Sequence, residues 1–136
     1  GPMSEKIEGI IDDLLNVEEN ADAIAIIGKD GQIVTQTENW NVSNDLEIIN
    51  ELLNEKLALG EKGITSLSIQ GIKYMIVENT EERKIGTNIT GKGHVLICPI
   101  PIGGPGALIA YVNPRAGPRD LLFNVQEYAK KLINLI

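Results

Sequence analysis

The chain has 136 residues, a formal net charge of −7 and a single cysteine, Cys98. This length predicts one domain that buries roughly two-thirds of its unfolded surface. One cysteine excludes an internal disulfide and agrees with a reducing compartment. No apolar run approaches the roughly 20 residues of a membrane span, and the acidic, amphipathic residues 4–16 are unlike a secretory signal.

The charge is divided unevenly along the chain. Residues 1–68 carry 4 Lys/Arg and 14 Asp/Glu, whereas residues 69–136 carry 8 Lys/Arg and 5 Asp/Glu. The overall acidity argues against nucleic-acid binding. The basic excess of the second half fits an acidic partner, phosphoinositide headgroups or simply a solvated sheet face.

The first predicted element is an amphipathic helix. Gly1-Pro2 before Met3 resembles the remnant of protease cleavage after recombinant expression, so the domain is taken as residues 4–136. Ser4 is expected to cap the helix. Its apolar side chains recur at helical spacing and are Ile7, Ile10, Ile11, Leu14 and Leu15.

A β-hairpin is predicted next. Residues 22–28 form a nearly continuous apolar run, Asp30-Gly31 is a tight-turn signal, and alternation resumes over residues 32–37. Trp40 follows the second strand and is expected to lie over a sheet edge.

A second helix begins at a predicted cap, Asn44, with Glu47 three residues later. We expect it to end near Gly60. Its apolar positions are Leu46, Ile49, Leu52, Leu53 and Leu57. A strand over residues 64–69 then leads into a tight turn at Gln70-Gly71.

Residues 71–111 predict an antiparallel meander of four strands, because period-2 alternation is broken by short segments that contain Gly and Asn. A last helix starts near Pro118, a favoured first-turn residue, and is expected to reach a docked C-terminus. Its apolar positions are Leu121, Leu122, Val125, Tyr128, Ala129, Leu132 and Ile136. The fold class is therefore α+β: one antiparallel sheet of about six or seven strands covered by helices, with the N- and C-terminal helices on the same face.

The chain offers little for catalysis, which needs convergent Cys, His or carboxylate groups. His94 and Cys98 are four residues apart on a predicted strand, so roughly 13 Å separates them along one face. They cannot form a dyad at that spacing. We expect no enzyme activity, no metal and no cofactor.

The ordered set of elements resembles the profilin family, and its divergence from eukaryotic members suggests the archaeal (Asgard) profilins. The most specific element is Gly71-Ile72-Lys73-Tyr74-Met75-Ile76, similar to the family's G-x-K-Y-M pattern. The matching segments cover most of residues 4–136 and are AIIGKDGQIVTQT, GITSLSIQGIKYMIVEN, KIGTNITGKGHVLI, ALIAYV and GPRDLLFNVQEYAKKL.

The resemblance implies a cytoplasmic, cytoskeletal protein that binds monomeric actin and regulates actin polymerisation. In the family, actin is bound by the later strands of the sheet and the start of the last helix. The positions carried over are Lys73, Arg83, Lys92, Arg115, Arg119, Leu122 and Phe123. Phe123 lies off the apolar stripe of its helix, so we expect an exposed aromatic that could anchor an interface.

Two further ligands are considered, the first because Lys and Arg residues cluster in the second half of the chain and the second because of the resemblance. Phosphoinositide lipids are expected to contact the basic residues Lys73, Arg83, Lys84 and Lys92. Profilins also bind polyproline by stacking it on aromatic side chains. Here Ile7, Ile10 and Val34 stand at those positions, Trp40 is six residues from Val34, and only Tyr128 is aromatic near the C-terminus. Weak or absent polyproline binding is therefore expected.

Two alternatives stay open. The stretch PIPIGGPG, residues 99–106, is either a partner-contact insertion or a tolerated surface insertion. Both interpretations are favoured over a phosphate cradle, since no helix follows the stretch and no Lys-Ser/Thr ends it. The rival function is a dimeric scaffold of the roadblock or longin kind beside a small GTPase, whereas the profilin reading predicts a monomer.

Overall fold

Within residues 1–56 and 58–136, which this computed structural model describes, the chain forms three α-helices and seven strands. A 3₁₀ turn at Ser43–Asp45 precedes the second helix. The elements in chain order are α1 (Pro2–Val17), β1 (Ala21–Ile27), β2 (Ile33–Gln36), α2 (Leu46–Leu53), β3 (Ser66–Ile69), β4 (Ile72–Asn79), β5 (Lys84–Thr87), β6 (His94–Ile100), β7 (Gly106–Val112) and α3 (Pro118–Lys130).

All strands belong to one antiparallel sheet in the order β2-β1-β7-β6-β5-β4-β3. The predicted meander supplies β4 to β7, and the N-terminal hairpin joins it through β1, whose Ile24 lies opposite Ala110 of β7. The predicted fold class is confirmed.

The sheet separates two apolar cores. On one face α1 and α3 pack side by side, and Leu14, Val125 and Leu132 are fully buried there. On the other face α2 contributes Ile49 and Leu52. The expectation that the N- and C-terminal helices share a face is confirmed, because their apolar stripes cover the same side of the sheet.

The predicted tight turns are present. Gln70 has a φ of +50° and Gly71 a φ of +79°, the left-handed pair typical of a two-residue hairpin turn. At the first hairpin, the Asp30 carboxylate accepts a hydrogen bond from the backbone N–H of Gln32 at 3.1 Å. Local sequence therefore sets both connections.

The predicted helix starts are wrong by a few residues. Helix α1 begins at Pro2 with Gly1 as its N-cap, since proline is preorganised for the first helical position; Ser4 lies inside the first turn. Asn44 lies within the 3₁₀ turn and Asp45 holds the N-cap position of α2. The Asp45 carboxylate instead accepts a hydrogen bond from the Gln70 backbone N–H at 2.9 Å.

The predicted helix ends also change. Helix α2 ends at Leu53, and the Asn54 side chain donates to the Asn50 carbonyl at 2.8 Å, a local bond that competes with continued helix. The predicted apolar position Leu57 lies outside the described residues. Helix α3 ends at Lys130 rather than at the C-terminus, although the turns beyond it keep Leu132 docked.

Trp40 follows β2, and its expected position over a sheet edge stays a prediction. It is only 7% exposed and belongs to the core beneath α2.

None of the helices among the described residues combines the length and the apolar character needed to cross a membrane.

Candidate partner-binding surface

A bulge in β4 decides which of its side chains lie on the α3 side of the sheet. Met75 is opposite Thr87 and Ile76 is opposite Gly86, but after the bulge Glu78 is opposite Ile85. Ile85 belongs to the core under α1 and α3. Because paired residues share a face, Glu78 lies on the α3 side, where its side chain is 19% exposed.

Glu78 joins two of the predicted site residues. One carboxylate oxygen, Oε2, accepts a hydrogen bond from Arg83 Nε at 2.5 Å, and the other, Oε1, accepts one from Arg119 Nη2 at 2.7 Å. Hydrogen bonds from Arg119 and then Arg83 hold the pKa of Glu78 below its ordinary value. The β4–β5 turn and the first turn of α3 thus meet at a single carboxylate.

Asn88 makes hydrogen bonds with the backbones of two predicted site residues, Lys73 and Lys92. Its side-chain amide donates to the Lys73 carbonyl at 2.9 Å, and its Oδ1 accepts from the Lys92 backbone N–H at 3.0 Å. The Lys92 carbonyl in turn accepts from the Tyr111 hydroxyl at 2.8 Å. The side chains of Lys73 and Lys92 are exposed, so β4 and the β5–β6 turn place two ammonium groups at one end of the sheet.

The loop before α3 carries Arg115 and is tied to the sheet. Buried Asn113 accepts a hydrogen bond from the Arg115 backbone N–H at 3.0 Å and donates to Asp22 at 3.1 Å.

His94 Nδ1 lies 3.0 Å from Thr87 Oγ1. Burial lowers the pKa of His94, an effect that a hydrogen bond with the Ala116 backbone opposes.

The start of α3 provides the apolar part of this surface. Phe123 is 74% exposed, as its position off the helical stripe predicts. Leu122 is half-buried and packs against the core under α3. Arg119 and Phe123 are one helical turn apart and therefore neighbours on the helix surface. The start of α3 therefore carries an arginine and an exposed aromatic residue one turn apart, and both residue types are enriched at protein–protein interfaces.

Lys84 does not join the other basic residues. It is opposite Ile97, so it lies on the α2 face of the sheet, and it is only 7% exposed. Its ammonium donates to Asn79 Oδ1 at 2.6 Å and to the Thr80 carbonyl at 3.3 Å. Burial lowers the pKa of Lys84. Since successive residues of a strand point to opposite faces of a sheet, Lys84 lies on the other side of the sheet from the surface that carries Lys73 and Lys92.

The positions expected to stack polyproline are mostly buried or aliphatic. Ile7 is buried, Ile10 is half-buried, and Val34 is 41% exposed. Trp40 packs on the opposite side of the sheet from α1 and α3. Tyr128 is half-buried, and the Lys131 ammonium lies 4.3 Å from its ring centre.

The loop formed by the proline- and glycine-rich stretch is shorter than the stretch itself, residues 99–106. Pro99 and Ile100 complete β6, and Gly106 begins β7. Residues 101–105 form the connection, and the Gly103 backbone N–H donates to the Glu81 carbonyl at 2.9 Å. The loop is thereby fastened to the β4–β5 turn, next to Arg83.

Sequence comparison places these features in a family. The profile of the Profilin family matches residues 5–135. The chain is 87% identical over 134 residues to Loki profilin-1 of Lokiarchaeum sp., covering 98% of this chain and all of that protein. It is 32% identical over 114 residues to Odin profilin of Odinarchaeota yellowstonii, covering 84% of this chain and 87% of that protein.

Solved structures give the same result. A crystal structure of Loki profilin-1 in complex with rabbit actin matches with a TM-score of 0.96 at 87% identity, covering both chains completely. Profilin IB of Acanthamoeba castellanii shares the fold, with a TM-score of 0.71 at 18% identity over 90% of this chain and 93% of that one. The expected likeness to archaeal profilins is confirmed, and the chain belongs to the profilin family.

Proposed function

We propose that this protein binds monomeric actin and regulates its polymerisation. The observation that carries this proposal is the 87% identity, over the full chain, to Loki profilin-1, which was crystallised with rabbit actin. At such identity two chains share both fold and most of their surface.

The surface described above supports the same function. The side chains of Arg83 and Arg119 are held at one carboxylate. The backbones of Lys73 and Lys92 are bonded to one asparagine, and Phe123 is an exposed side chain of α3. Basic groups around an aromatic anchor suit a partner with an acidic surface, because complementary charge speeds encounter and the buried ring slows dissociation.

The direct test is an actin polymerisation assay. We expect the protein, titrated against fluorescently labelled monomeric actin, to slow spontaneous polymerisation in proportion to its concentration. Rabbit actin is a suitable choice because Loki profilin-1 was crystallised with it. Unchanged polymerisation at tens of micromolar protein (roughly −6 to −7 kcal/mol of binding free energy) would overturn the proposal.

A second ligand, a phosphoinositide headgroup, would use part of the same surface. The residues that support it are Lys73, Arg83 and Lys92, and Lys84 is omitted because its ammonium is buried on the other face. Each basic group near an anionic membrane contributes about 1 kcal/mol. Since the whole chain carries a net charge of −7, binding requires highly charged headgroups and modest salt.

The rival function, a roadblock- or longin-like dimeric scaffold, predicts a different mass in solution. We propose a monomer, and light scattering of the purified protein distinguishes the two. We further propose that the protein works in the cytoplasm with the actin cytoskeleton. Membership of the profilin family also agrees with the expectation that it is not an enzyme.

A further inference from the structure

A cavity lies on the α2 face of the sheet, between the end of α2, the β4–β5 turn and the connection from β6 to β7. Its volume is about 380 Å³, which is within the range of pockets that take small organic molecules. The charged side chains that line it are Glu55, Lys56, Glu81 and Lys84. The sheet separates this cavity from α3, because α3 packs on the opposite face.

Lys84 is a buried cation in the wall of this cavity. Its side chain is only 7% exposed. Its Nζ donates to Asn79 Oδ1 at 2.6 Å and to the Thr80 carbonyl at 3.3 Å, and both of these acceptors are uncharged. Within residues 1–56 and 58–136, no salt bridge to the Lys84 ammonium is formed. A buried charge without a counter-ion is costly, so this site favours the neutral amine.

The carboxylates that line the cavity do not cancel this effect. Glu55 accepts hydrogen bonds from the Ile64 backbone N–H at 2.7 Å and from the Asn79 side chain at 3.2 Å. The Glu81 side chain lies beside Gly103. Burial lowers the pKa of Lys84, and the negative charges of Glu55 and Glu81 oppose that change only in part. A desolvated lysine in a pocket is an activated nucleophile that forms Schiff bases with carbonyl compounds.

We infer that Lys84 is a reversible covalent binding site for a small, uncharged aldehyde. The ammonium first gives its proton to solvent, and Nζ then attacks the carbonyl carbon of the aldehyde within the cavity. A C–N bond forms, the carbonyl oxygen leaves as water with the two remaining amine hydrogens, and the product is an imine. Glu55 and Glu81 repel an anionic aldehyde, which is why an uncharged one is favoured. The reaction is stoichiometric and needs no oxidant or reductant.

The test traps the imine by reduction. Wild-type protein is incubated with acetaldehyde and a low concentration of cyanoborohydride, and the labelled lysines are quantified by peptide mass spectrometry. Lys73, which is exposed, is the internal reference. We expect Lys84 to be labelled about fivefold faster than Lys73 at pH 7 and the difference to shrink at about pH 10, where exposed lysines also lose their protons. Labelling of Lys84 should level off at roughly millimolar acetaldehyde, whereas labelling of Lys73 should stay proportional to the concentration.

Two variants extend the test to the intact protein. Lys84→Arg keeps the charge but removes the primary amine, and Lys73→Arg makes the same change at an exposed position. The first adduct seen by intact mass should disappear in Lys84→Arg and persist in Lys73→Arg, with thermal melts to verify folding. The wild-type peptide map decides the question if Lys84→Arg does not fold. Equal labelling of Lys84 and Lys73 at pH 7, or labelling of Lys84 that never levels off, would overturn the inference.

Discussion

Glu78 and Arg119 are 41 residues apart in the chain, yet the Glu78 carboxylate accepts a hydrogen bond from the Arg119 guanidinium at 2.7 Å. The same carboxylate binds Arg83. Two guanidinium groups from different elements are thereby held in one place, so less side-chain entropy remains to be lost when a partner binds them.

Replacing Glu78 with Gln should lower stability in a pH-dependent way. The bridge depresses the folded-state pKa of Glu78, so its contribution is present above the ordinary glutamate pKa of about 4.3 and disappears as the pH falls through the folded value. We expect a loss of roughly 0.5–1 kcal/mol at pH 7, because Arg119 is largely exposed. Urea unfolding at pH 7 and near pH 3 measures it. Glu19→Gln, at an exposed position, is the control; an equal loss at both pH values contradicts the prediction.

Truncating Phe123 should weaken actin binding without loss of stability. Its ring is 74% exposed, so Phe123→Ala leaves no cavity in the core. If the ring is buried by actin, the variant loses roughly 1–2 kcal/mol of binding, or about five- to thirtyfold in affinity. Titration of labelled actin, with a melting curve for each protein, measures both quantities. An affinity equal to that of the wild type would show that Phe123 lies outside the interface.

Polyproline should bind weakly or not at all. Proline helices are ordered by flat aromatic faces and hydrogen-bond donors, and Ile7, Ile10 and Val34 supply neither. Trp40 is buried on the other side of the sheet. Calorimetry with a long proline peptide should therefore give no measurable heat at micromolar concentrations. A clear micromolar isotherm would mean that Tyr128, or another surface, provides a platform.

Lipid binding should depend on Lys73 and not on Lys84. Lys73→Ala removes an exposed charge and should reduce binding to phosphoinositide vesicles by about 1 kcal/mol, roughly fivefold. Lys84→Met removes a charge that is buried against Asn79 and Thr80 and should leave vesicle binding unchanged. Co-sedimentation with vesicles at low and high salt measures both. Equal losses for the two variants would contradict the separation of these lysines by the sheet.

Removal of residues 127–136 should unfold the domain. The deletion takes away Ala129 and Leu132, which are 4% and 0% exposed in the core shared by α1 and α3. Losing even one such leucine side chain costs about 2–5 kcal/mol, a large share of the 5–15 kcal/mol that stabilises a typical domain. Thermal unfolding followed by circular dichroism gives the answer. A truncated protein that still melts cooperatively would show that α1 is held without this part of α3.

Local patterns in the sequence determined much of this fold. Apolar residues at helical spacing identified the buried faces of α1 and α3, and the same spacing predicted that Phe123 is exposed. Gln70-Gly71 predicted a hairpin because the turn requires positive φ at adjacent residues. These features depend on neighbours within a few positions, which periodicity and turn chemistry report directly.

The tertiary structure determined the features that depend on contacts between residues far apart in the sequence. Pairing of β1 with β7 joins residues at least 80 positions apart, and no local pattern specifies it. The bulge in β4 sets whether Glu78 lies toward α3, and a one-residue change of register moves a side chain to the other face. For that reason the sequence assigned Lys84 to the basic surface and overlooked Glu78. The register of the assembled sheet buries the lysine on the α2 side and places the carboxylate between two arginines.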